Sequence, residues 1–200
     1  MLLSVGIYKE KKEKNFRMVI LPSGKNKIGL TMDKDYGIIS YLDKNNNEKI
    51  GEFIFWALNE TDEKKIENEI DVEWHKKYFN YSSNLKIVNL YNNIGFQFFE
   101  NKYSLYLMKK DGRGYSPFKD ENGNIVEHIF LEKPTNLELG TKVMEMFEFK
   151  ERLEQRLDWF RNNEGRQDVA VGVVGENNMK YKKIVGLAES ISQVFKSVSR

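Results

Sequence analysis

One pattern in this chain occurs twice. A run of strand-like segments joined by polar turns ends in an amphipathic helix, and the order then repeats. The first pass runs from Leu2 to Ile70 and the second from Leu85 to Phe160. Short strands separated by turn residues pair antiparallel, and each helix must bury its apolar stripe against a sheet. The repeat therefore narrows the fold before any single residue is considered.

In the first pass, Leu2–Tyr8 is apolar with a β-branched centre. Phe16–Leu21 stops at the turn signal Pro22-Ser23-Gly24, and Lys27–Met32 alternates. Tyr36–Leu42 is closed by Asp43-Lys44-Asn45-Asn46-Asn47. Lys49–Leu58 places Phe53, Phe55 and Ala57 two apart, which predicts a further strand. Thr61 is the expected cap of a helix carrying Ile66, Ile70 and Trp74 on one face, with Asp62 and Glu63 in its first turn.

The second pass predicts strands over Leu85–Tyr91, Ile94–Glu100, Tyr103–Lys109 and Ile125–Glu132, with a tight turn at Asn101-Lys102. A long helix follows, capped by Asn136. Its stripe is Leu139, Val143, Met146, Leu153, Leu157 and Phe160. After Asn162-Asn163-Glu164-Gly165, Val169–Val174 reads as a strand or buried loop. A last amphipathic helix spans Ile184 to Phe195. The expected fold class is α+β: two antiparallel sheet-plus-helix repeats, four strands and a helix each, with a C-terminal helical appendage. The expected domain covers residues 1–163, and the extension covers 164–200.

Composition limits the chemistry. There are no cysteines, which removes disulfides and thiolate chemistry and fits a cytoplasmic location. The apolar start is too short for a signal peptide or a membrane span. His75 and His128 have no metal-ligand spacing. Gly172-Val173-Val174-Gly175 is an isolated glycine pair, and no nucleophile or phosphate-loop motif is present. The expectation is a protein that is not an enzyme, with no catalytic residues, metal or cofactor.

Charge is segregated along the chain. Lys9, Lys11, Lys12, Lys14, Arg17, Lys25 and Lys27 face only Glu10 and Glu13 within the first thirty residues. Lys102, Lys109, Lys110, Arg113 and Lys119 face only Asp111 between positions 101 and 119, whereas residues 60–73 are acidic. Tyrosines lie beside the second cluster. Aromatic rings on a sheet can stack bases while cations track phosphates. The candidate nucleic-acid-binding residues are Lys25, Lys27, Tyr103, Tyr106, Lys109, Lys110, Arg113 and Tyr115, and the expected partner is single-stranded DNA or RNA. Arg113-Gly114-Tyr115 is similar to the opening of the aromatic strand of the RNA-recognition motif.

The element order, with Phe53–Ile70 and Phe130–Phe160 as two strand-to-helix passages, resembles the Whirly family of single-stranded-DNA-binding proteins. Lys25-Asn26-Lys27-Ile28-Gly29-Leu30 matches that family's lysine-rich motif as K-x-K-x-x-L, and Trp159-Phe160 falls where its last helix ends. The resemblance implies two sheets packed across each other, single strands bound along sheet edges, and homo-oligomers formed through the helices. The alternative is a protein-interaction module, such as a bacterial toxin-immunity protein or a phage accessory protein. Such a module would turn the acidic stretch at 60–73 toward a basic protein partner.

Overall fold

The computed structural model describes residues 2–25, 29, 31–61, 74–120 and 122–162. The predicted elements at 169–174 and 184–195, and nearly all of the helix predicted after Thr61, lie outside them. The described residues divide into two units, and the first (to Phe118, then Ile125–Arg152) contains the sheet and its core.

Eight strands form one antiparallel sheet within it. They are β1 (Leu3–Glu10), β2 (Phe16–Lys25), β3 (Thr31–Asp33), β4 (Ile38–Leu42), β5 (Tyr91–Phe99), β6 (Lys102–Asp111), β7 (Gly114–Pro117) and β8 (Glu127–Phe130). The helices are α1 (Asn47–Asn59), α2 (Trp74–Phe79), α3 (Asn84–Leu90) and α4 (Asn136–Asn162). Four strands and a helix thus occur twice, with α2 and α3 between the copies. The α+β class and the duplication both follow the sequence pattern. No described helix is long and apolar enough to cross a membrane.

Hydrogen bonding runs through the sheet in the order β3-β2-β1-β5-β6-β7. The two repeats meet where β1 pairs with β5, and Gly6 lies opposite Gly95. The outermost strand of each repeat is split. β4 and β3 share the free side of β2, opposite Phe16–Ile20 and Ser23–Lys25 respectively. β8 and β7 share the free side of β6, opposite Tyr103–Tyr106 and Met108–Asp111. The β5–β6 hairpin closes through Glu100 and Asn101, both at positive φ, one residue earlier than the turn composition suggests.

The predicted strand at Lys49–Leu58 is a helix. Alternation of Phe53, Phe55 and Ala57 suggests a strand, but the buried residues are Ile50, Gly51, Ile54, Ala57 and Leu58, a helical face. Leu85–Leu90 is also helical, with Ile87 and Val88 buried, and the strand begins only at Tyr91. The cap of α4 is Thr135 rather than Asn136. The Thr135 hydroxyl accepts from the Glu138 N–H at 3.2 Å, and the Glu138 carboxylate accepts from the Thr135 N–H at 2.7 Å. That reciprocal pair is a capping box. It also holds the Glu138 carboxyl below its usual range.

Both sheet faces are packed. On one, α1 and α4 cover Val5, Ile7, Phe16, Met18, Ile20, Ile94, Phe96, Leu105 and Leu107, joined by Leu139, Val143, Met146 and Phe147. On the other, Tyr78, Phe79 and Ile87 from α2 and α3 pack on Tyr8, Val19, Leu21 and Tyr91. The helix crossing on the first face is reciprocal. A Cβ on Gly51 would run into the backbone of Asn136, and one on Gly140 into the backbone of Asn47. Asn-x-x-x-Gly thus stands at the start of both long helices, at the same interval that separates Gly6 from Gly95. Farther along α4, in the second unit, Leu157 and Trp159 are exposed. In that same unit the Asp120 carboxylate accepts from the N–H groups of Asn122 and Asn124, forming a local turn.

Candidate functional site

The sheet register decides which charges meet. β1 ends at Glu10 opposite Tyr91, and the Lys11 N–H donates to the Leu90 carbonyl at 2.9 Å. This places the β1–β2 hairpin, with Lys11, Lys12 and Lys14, beside the end of α3. The β6–β7 hairpin reaches the same place from the other side. Lys110 lies opposite Tyr115 and donates to the Asn89 side-chain oxygen at 2.5 Å. The Tyr115 hydroxyl is 2.9 Å from the Tyr91 carbonyl oxygen. Two basic stretches far apart in sequence therefore share one end of the sheet. Lys11, Lys12, Lys14, Lys86, Lys109, Lys110 and Arg113 are all exposed there. Glu10, Glu13 and Asp111 are interspersed among them, Glu10 pairs with Lys12 at 2.9 Å, and Glu151 on α4 reaches the same end, where Lys9 neutralises it.

Not all of the sequence candidates converge. Lys109, Lys110 and Arg113 belong to this end. Lys25 closes β2 at the opposite end, paired with Thr31, and Lys27 lies outside the described residues. The three tyrosines are engaged within the protein. The Tyr103 ring lies 4.5 Å from Phe98 and stacks on Phe96 at 6.1 Å. Tyr106 lies against the backbone of Gly95, where a side chain would collide with its ring, and burial pushes its hydroxyl above the ordinary range. Tyr115 meets Tyr8 edge-on at 5.9 Å. Lys11, Lys12 and Lys14 were visible as a charge run. Their meeting with the 109–113 cluster depends on the β1–β5 pairing, which no local signal encodes.

The platform beneath is fixed by buried polar contacts. Lys9 is 2% exposed and lies at 2.6 Å from the Glu151 carboxylate on α4. It also donates to the Lys12 carbonyl at 3.1 Å, which ties the basic hairpin to the core. Arg17 donates to the carbonyls of Tyr78 at 2.5 Å and Phe79 at 3.1 Å. A guanidinium there satisfies carbonyls at the end of α2 and complements the helix dipole. Lys150 is 4% exposed and donates to the Met108 carbonyl, so α4 also grips the strand that leads to the tip.

A separate acid sits on the other face of the sheet. Asp33 accepts from the Tyr8 hydroxyl at 3.0 Å. Loss of water around the carboxylate pushes its pKa up to about 6, against the smaller opposing effect of that hydrogen bond. The residue as a whole remains exposed, so solvent screens part of that shift. His128 on β8 contacts Phe130 edge-on at 4.6 Å; burial, followed by the nearby Lys142, lowers its pKa. Among the described residues no group of three or more His, Asp or Glu side chains could hold a metal ion.

These features define a duplicated α+β protein with a continuous antiparallel sheet and one basic end. No family model matches the chain, and no curated protein matches it. Solved structures share the fold. One is a protein of unknown function, NMB0488, from Neisseria meningitidis, with 10% identity over 72% of this chain and 93% of that one, and a TM-score of 0.51. Another is a chain of the CdiA-CT/CdiI toxin and immunity complex from Yersinia pseudotuberculosis. It is 9% identical over 73% of this chain and 95% of that one, with a TM-score of 0.53. At such identities the likeness is one of fold.

Proposed function

We propose that this chain is an immunity-type interaction module, which binds a toxin domain and neutralises it by contact rather than by catalysis. The observation that carries the reading is the shared fold with a chain of a toxin and immunity complex, spanning nearly all of that chain. The placement of the tyrosines supports it. Rings that would have to stack on bases are instead committed to packing at Tyr103, Tyr106 and Tyr115. A binder of this kind needs a rigid, charge-patterned surface, and interface charges set association rate and partner choice.

Co-expression with a panel of bacterial toxin domains tests the reading. The expected result is rescue of growth and a stable one-to-one complex by light scattering. Failure of every such domain to bind, together with salt-sensitive binding of a single-stranded oligonucleotide, would replace the reading with nucleic-acid binding.

A further inference from the structure

The basic end of the sheet offers a more specific conclusion, which rests on the immunity reading above. We propose that it is the docking surface for an acidic patch on a protein partner. The cations come from three separate elements: Lys11, Lys12 and Lys14 on the β1–β2 hairpin, Lys86 on α3, and Lys109, Lys110 and Arg113 at the β6–β7 tip. The local acids are fewer, and Glu10 is already matched by Lys12. The backbone beneath is pinned by the Lys11 to Leu90 hydrogen bond, the Tyr115 to Tyr91 contact and the Lys9 to Glu151 ion pair. The charges are thus displayed on a preorganised frame, which lowers the ordering cost of docking.

Charge complementarity assigns the partner its sign, and the rings decide between protein and nucleic acid. Tyr91 and Tyr115, the aromatics at the centre of this end, are turned into the fold. Among the described residues Tyr41 is exposed on the flank, opposite Arg17, while Tyr81 is half-buried against Tyr91 at 6.4 Å, and one open ring with one packed ring is too little for a run of stacked bases. An acidic protein surface needs only the cations.

The test uses fluorescence anisotropy with two probes at low and moderate salt: a labelled oligoglutamate and a single-stranded DNA of matched charge. Three variants of the full chain are compared with the parent: K109E/K110E/R113E, its milder form K109Q/K110Q/R113Q, and K25E at the far end of the sheet. Oligoglutamate should bind the parent in a salt-sensitive manner. Its affinity should fall at least about tenfold with charge reversal at the tip, less with the glutamine variant, and not at all with K25E. Equal loss with K25E, or no oligoglutamate binding by the parent, overturns the assignment of this surface. Preferential binding of the DNA, lost with the same tip variants, overturns it in favour of nucleic acid. If a toxin complex forms but ignores the tip variants, the surface is wrong and the immunity reading stands. If no toxin binds but the oligoglutamate pattern holds, the surface survives and the toxin partner does not.

Discussion

Asp33 shows how one side chain sets a pH response. Its carboxyl is held at about 6 against an ordinary value of 3.8, so between those values the folded state binds more protons than the unfolded chain. Stability from this group is therefore greatest at acid pH and falls as pH rises from about 4 to about 6. Because the residue is exposed overall, screening reduces the effect to at most about 1 kcal/mol. Asp33→Asn should keep an acceptor for Tyr8 and remove this slope, leaving the variant slightly more stable than the parent at neutral pH. Denaturant midpoints measured across the window check this; an unchanged slope in the variant assigns the pH dependence to another group. Arg17 makes the complementary point. Its fork reaches two carbonyls at once, which a lysine ammonium at the same place could not reproduce with the same geometry.

At the level of elements, α1 crosses α4 with a glycine of each helix against the other's backbone. Gly51→Ala or Gly140→Ala would place a methyl group against the partner helix backbone, which cannot yield as a side chain can. Each change should cost about 2–3 kcal/mol or more, read as a lower denaturant midpoint at unchanged slope. A loss under about 0.5 kcal/mol, the range of ordinary surface substitutions, would mean that the helices can separate freely. This crossing was partly legible. The duplicated order of strands and helix is visible in turn chemistry and alternation, but the matching Asn-x-x-x-Gly pairs are not, because Asn47 ends a run of turn residues and Gly51 falls in a segment whose alternation predicts a strand. Phe53, Phe55 and Ala57 stand two apart, and that short-range spacing points to a strand, although Ile54 and Trp56 between them are also apolar and the longer Ile50, Ile54, Ala57 and Leu58 spacing marks the buried helical face. For α3, the adjacent burial of Ile87 and Val88 marks a helix, while Leu85 and Leu90 on its exposed sides suggested an apolar strand. Site residues were legible as charges only, since which lysines become neighbours is a property of the sheet register.

At the scale of the molecule, the two repeats share one core and one sheet. β1 pairs along its whole length with Tyr91–Phe98 of β5, and the two long helices interlock on the same face. The repeats should therefore unfold together. Hydrogen exchange of β2 and β6 amides, one strand from each repeat, should show the same opening free energy and the same denaturant dependence. Separate transitions would mean that the β1–β5 seam opens before either repeat does. The same architecture has a further consequence at its margins. A sheet that ends in long straight strands invites another chain to add to it, and each addition exposes a fresh edge. Here both outer strands are cut into short pieces, β3 with β4 and β7 with β8, although Ile39, Tyr41 and Ile129 are exposed along them. Those interruptions limit the length of backbone that a neighbour can grasp, so the protein can carry apolar side chains at its borders without becoming the seed of a fibre.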